Sequence, residues 1–158
     1  MIRNEKSLLV IVLSLAIVVV ATATAAMAQT PSPTLPTLVR QTYSQSPNGV
    51  VRTSDCSIYT DRITVLKSID GVSIEETRAL SLGGLVADKI AEAAATPLVL
   101  DKGSLFDFSY FTYAFKTLAN GTRERVTLGS FDGATGIETS NPSRGATVLR
   151  EILNANCE

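Results

Sequence analysis

Proton-moving chemistry in proteins leans on histidine, and this chain of 158 residues has none. Without imidazole, the usual general base for a serine or cysteine nucleophile is missing, and so is the commonest zinc ligand. The remaining reactive side chains are poorly spaced for catalysis. In Gly129-Ser130-Phe131-Asp132-Gly133 the serine directly follows the first glycine, so the Gly-x-Ser-x-Gly pattern of a nucleophile turn is not met. Asp101, Asp107 and Asp132 could converge as a carboxylate pair or as oxygen ligands for calcium, but they lack the dense spacing of a loop site. Ser68 or Ser81 with Lys67 or Lys89 offers no spacing that favours Ser-Lys catalysis. The chain reads as a non-enzyme, with no catalytic residue, metal or cofactor assigned.

Two features point to other roles. Cys56 and Cys157 are the only cysteines, lie far apart and have no Cys-x-x-Cys spacing, so in an oxidising compartment they are expected to form a structural disulfide. Lys116, Arg123 and Arg125 flank Asn120-Gly121, a dipeptide that favours tight hairpin turns. A two-residue turn there sets Phe115 opposite Val126 and Tyr113 opposite Leu128 on a buried face. Lys116 then meets Arg125 on the wet face, with Arg123 nearby. Like charges facing each other across strands destabilise a sheet, so a basic patch kept there suits an anionic partner, while twist and flexible stems that let the charges splay into water favour a plain solvated face. The run from Phe106 to Phe115 holds six of the nine aromatic residues and reads as core, with a sugar- or peptide-binding platform as the sharper reading. Asn120-Gly121-Thr122 also matches a glycosylation sequon, although the turn role accounts for it.

The amino end sets where such chemistry takes place. Arg3 and Lys6 precede an apolar run from Leu8 to Val20 that ends in Ala26-Met27-Ala28, the order of an export signal cleaved between Ala28 and Gln29. The uncharged stretch from Leu8 to Ala28 is also close to membrane-spanning length, so a retained leader is the one route to a membrane. Either way the basic end stays inside and the remainder is periplasmic or secreted. Without the leader the balance is 12 basic against 14 acidic residues, which excludes a global attraction to nucleic acid.

Three parts follow: a signal peptide over 1–28, a Pro/Ser/Thr-rich tether over 29–49, and a single domain over 50–158. Pro31, Pro33, Pro36 and Pro47 mark the tether as extended. In the domain, Ile58 to Leu66 precedes Asp70-Gly71 and predicts a hairpin, although pairing about that turn sets Val65 against Glu76 and Ile63 against Arg78. A longer loop or a bulge is the alternative. Leu85, Val86, Ile90, Ala93 and Ala94 form a helical stripe that Pro97 ends. A second hairpin spans Phe106 to Phe131, with a bulge near Tyr110-Phe111 to reunite two aromatic sets of opposite parity. A last helix carries Ala146, Leu149, Ile152 and Leu153, capped by Asn141 with Pro142 at its first position.

The expected fold is an α+β two-layer sandwich in the order ββαββα, a four-stranded, largely antiparallel sheet with two helices on one face. The function classes left are a non-enzymatic binding or envelope accessory protein with an unidentified protein or anionic envelope partner, an inhibitor of a secreted protease or other hydrolase using the loop from Asp132 to Ser140, and a carboxylate enzyme.

Overall fold

The computed structural model describes residues 35–158. The leader, the Ala28–Gln29 cleavage point and the start of the tether lie outside the described residues. Those described form eight strands and two helices: β1 (Leu38–Gln45), β2 (Val51–Ile58), β3 (Arg62–Ile69), β4 (Val72–Ala79), α1 (Leu85–Ala94), β5 (Val99–Lys102), β6 (Phe108–Thr117), β7 (Arg123–Asp132), β8 (Ile137–Ser140) and α2 (Arg144–Asn156). One antiparallel sheet runs β4-β3-β2-β1-β6-β7-β8-β5.

The α+β class therefore holds, but the four-stranded ββαββα sheet is overturned: β1, β2, β5 and β8 double it. Leu38–Gln45, read as part of the tether, is a central strand paired on both sides. Its sequence LVRQTYSQ is rich in polar residues, as is VRTSDCSI in β2, so neither announces itself as a core strand. Both edges are exposed along their length, β4 over eight residues and β5 over four.

Alternation decides what each strand buries. Leu38, Cys56, Ile58, Ile63, Val65, Ala114, Val126 and Leu128 face the helices and pack with Val86, Ile90, Ala93, Ala146, Leu149 and Leu153. Helix periodicity places these positions as the sequence predicts, except that Leu85 is exposed. The helices approach closely at Gly145, where a Cβ would come within 2.5 Å of the Lys89 carbonyl oxygen. Only glycine allows that contact.

The two hairpins resolve their registers differently. Asp70 and Gly71 both have positive φ, 50° and 83°, as a type I′ turn requires. The first hairpin thus keeps the tight register, Val65 with Glu76 and Ile63 with Arg78, without a shift. In the second, Leu118 to Thr122 form a longer loop closed by the Leu118 N–H donating to the Thr122 carbonyl, and β6 slips by one residue from the expected register. Phe115 pairs with Arg125 and Lys116 with Glu124. The irregularity falls at Leu128 of β7, where Thr112 pairs with Gly129 and Tyr113 with Thr127. Phe108 and Tyr110 consequently stay on the helix side and Phe111, Tyr113 and Phe115 on the open side, so no bulge at Tyr110-Phe111 reunites them.

Around α2, Ser143 is the cap, its Oγ accepting from the Ala146 N–H at 3.0 Å. Asn141 is instead a buried junction. Its amide donates to the carbonyls of Ala93 and Thr127, and its oxygen accepts from the Ser143 N–H, which joins α1, β7 and α2. Arg150 donates to the carbonyl oxygens of Leu128 and Asn141 at 2.8 and 3.3 Å, serving the irregular backbone of β7. Cys157 closes α2 and is bonded to Cys56 of β2, with Cα atoms 5.7 Å apart.

That cross-link closes a span of 101 residues, for which chain entropy predicts about 4 to 5 kcal/mol of stabilisation. Replacing both Cys56 and Cys157 by Ala is expected to lower the unfolding free energy by about 4 kcal/mol in urea titrations; a loss under about 1 kcal/mol contradicts it. Glu92 gives a second test. The Lys89 ammonium, donating at 3.0 Å, and the Gly145 N–H, donating at 2.9 Å, hold its carboxyl below the usual value. A depressed carboxyl stabilises above its unfolded pKa, and the gain is lost as pH falls through its folded value. The melting-temperature gap between the wild type and Glu92→Gln is expected to close on acidification, and a constant gap refutes the linkage.

Candidate functional site

Helices cover one face of the sheet and leave the other open, and the slipped β6–β7 register decides what that open face displays. Phe111, Tyr113 and Phe115 project from β6 there, joined by Arg123 and Arg125 from β7. The Arg123 guanidinium lies 4.4 Å from the Phe115 ring centroid and that of Arg125 lies 5.4 Å from Tyr113, both within cation–π range. Tyr113 and Phe115 meet edge to face at 5.5 Å. Charge and π surface thus alternate along one ladder.

Beside it, Gln41, Phe111, Tyr113, Arg125, Thr127 and Ser130 line a depression of about 380 Å³. The Gln41 amide donates to the Asp55 carboxylate at 2.9 Å, tying up the acid nearest the ladder. Burial raises the Tyr113 phenol pKa, with Asp55 adding to the rise and Arg125 opposing it. Burial also lowers the Arg123 pKa from its very high ordinary value, and a guanidinium stays charged in proteins. Arg123 donates to the Pro36 carbonyl oxygen as well, which fixes it at the corner of the sheet.

The basic patch expected from the sequence is therefore split. Arg123 and Arg125 share the open face with the aromatics instead of lying opposite them, and Lys116 stands on the helix side. The one-residue slip is the cause, because the side-chain period of a strand is two. Lys116 lines a different cavity of about 490 Å³ at the base of α1, whose lining also includes Phe115 and Arg123.

The acidic candidates form no cluster of three among the described residues, although Asp107 precedes β6 close to the Asp132 turn, where the Phe106 N–H donates to the Gly133 carbonyl. Asp101 lies on edge strand β5 with its carboxylate accepting from the next N–H, and Asp132 accepts from Ala134 N–H and Thr135 Oγ within its own turn. No group of three His, Cys, Asp or Glu suited to a metal occurs among the described residues. The Asp132–Ser140 loop shrinks to a turn over Gly133–Gly136, since Ile137–Ser140 is β8. Asn120 accepts from the Thr122 N–H and Oγ with Gly121 at φ 81°, which accounts for that dipeptide. The signal that could have exposed the ladder was the parity of Phe111, Tyr113 and Phe115 with Arg123 and Arg125, all odd-numbered, with Phe115 and Arg125 equidistant from Asn120.

Because Arg125 opposes the rise at Tyr113, Arg125→Ala is expected to move the Tyr113 phenol pKa further upward in an ultraviolet titration compared with Tyr113→Phe; an unchanged value contradicts the electrostatic pairing. Comparison of the chain with protein-family models, curated protein sequences and solved structures returned no significant match.

Proposed function

We propose that this protein is an exported, non-enzymatic binding protein, periplasmic or secreted, that uses its open sheet face to hold an anionic macromolecular partner of the cell envelope or its surroundings. The observation that carries the reading is the ladder of Arg123 and Arg125 laid over Phe115 and Tyr113 on a face that neither α1 nor α2 covers. Aromatic and arginine side chains in that arrangement combine rigid contact area with charge at small entropic cost. Export is supported by the leader and agrees with the Cys56–Cys157 disulfide, since such bonds persist in oxidising compartments.

The reading fits the rest of the chain. With no histidine and no carboxylate cluster among the described residues, affinity has more to work with than reactivity. The stapled core holds the face rigid, so little ordering is paid on contact. The test is retention on immobilised heparin and dextran sulfate at physiological ionic strength. Wild-type protein is expected to be retained with a salt-dependent elution, and the Arg125→Glu, Tyr113→Ala double variant to bind about tenfold or more weakly. Equal retention of wild type and variant overturns the assignment. Fractionation of expressing cells tests export, and recovery in the cytosol refutes it.

A further inference from the structure

At the base of α1 the helix and the sheet part. The residues that α1 turns toward the gap are small, Ala87 and Ala91, and the preceding turn is Gly83-Gly84, so nothing bulky fills the space. A cavity of about 490 Å³ results, within the range of small-molecule sites. Its inner wall is apolar, built from Val86 and Ile90 of the core together with Leu82. The mouth is polar. Of the residues lining the cavity, two ionise, Lys116 and Arg123, and both are cations; no carboxylate lines it.

The two cations are not equivalent. Arg123 is held against Phe115 and the Pro36 carbonyl. Lys116 forms no ion pair or hydrogen bond with another side chain among the described residues, although Glu124 faces it in the strand register. Glu124 lines a separate depression near Asn141. An ammonium without a carboxylate partner, poised at the rim of an apolar hole beside a fixed guanidinium, complements an anionic head on an apolar tail.

We propose that this cavity is a second binding site, adjoining the open-face ladder with which it shares Arg123, that takes small amphipathic carboxylates such as medium-chain fatty acids. The alkyl chain packs on Leu82, Val86 and Ile90. The carboxylate accepts from Lys116, with Arg123 adding charge. Burial of the methylene groups supplies the affinity and the cations choose the head group, since apolar contact is non-directional and charge-assisted hydrogen bonds are not.

Decanoate and decyltrimethylammonium, equal in chain and opposite in charge, are the probes, read by saturation-transfer NMR and calorimetry on the purified protein. Decanoate is expected to bind saturably and the cation about tenfold or more weakly. Lys116→Glu is expected to weaken decanoate by about tenfold or more. Ala91→Phe plugs the cavity from an exposed helix position and is expected to abolish decanoate binding with the melting temperature kept. That variant still adheres to heparin through the open face, so failure here and failure of the envelope-binding role give different results. Absence of saturable decanoate binding, equal binding of both head groups, or decanoate binding that survives in Ala91→Phe overturns the proposal.

Discussion

The pairing of β1 with β6 holds this molecule together. On one side β1 carries β2, β3 and β4, on the other β6 carries β7, β8 and β5, and among the described residues no other strand pairing joins the two halves. Leu38, fully buried, sits opposite Ala114 and Ile58 in that seam and under the helices. The small Ala114 leaves room for helix side chains to reach the sheet, and the disulfide pins β2 to the end of α2 across the same seam. Non-local pairings of this kind repay their loop-closure entropy only when most of the sheet is assembled.

How far the fold can be read from the chain follows from which elements depend on local pattern. Both helices are legible, because Val86, Ile90 and Ala93, then Ala146, Leu149 and Leu153, recur at helical spacing and their burial needs no knowledge of the sheet. Asp70-Gly71 is legible as a turn, but its register is not, since the tight pairing sets Val65 against Glu76 and Ile63 against Arg78 on what looks like a poor core face. β1 and β2 are not. Arg40, Thr42 and Ser54 occupy helix-side positions beyond the main core, so neither strand shows the alternation that marks a half-buried strand. β5 and β8 are too short and exposed to leave a pattern.

The geometry of the candidate site is not legible in the sequence, although its charged residues are. Arg123, Arg125 and Lys116 stand out by charge, yet their grouping turned on whether the loop after Thr117 holds two residues or five. Asn120-Gly121 argues for two, and the hydrogen bond between Leu118 and Thr122 makes it five. That single slip moves Tyr113 and Phe115 out of the core, lays arginines on them, and sends Lys116 to a cavity under α1. Electrostatics that look like repulsion along the sequence become cation–π contact in space.

The exposed β4 edge carries a last implication. Ile69, Val72 and Ile74 lie uncovered at this end of the sheet, the composition that lets stacked copies polymerise into fibrils. Consecutive Glu75 and Glu76 put a carboxylate on each side of the strand, so an incoming copy meets negative charge whichever way up it docks. The acidic pair sets charge along the free border of β4, a device that opposes edge-to-edge pairing of copies.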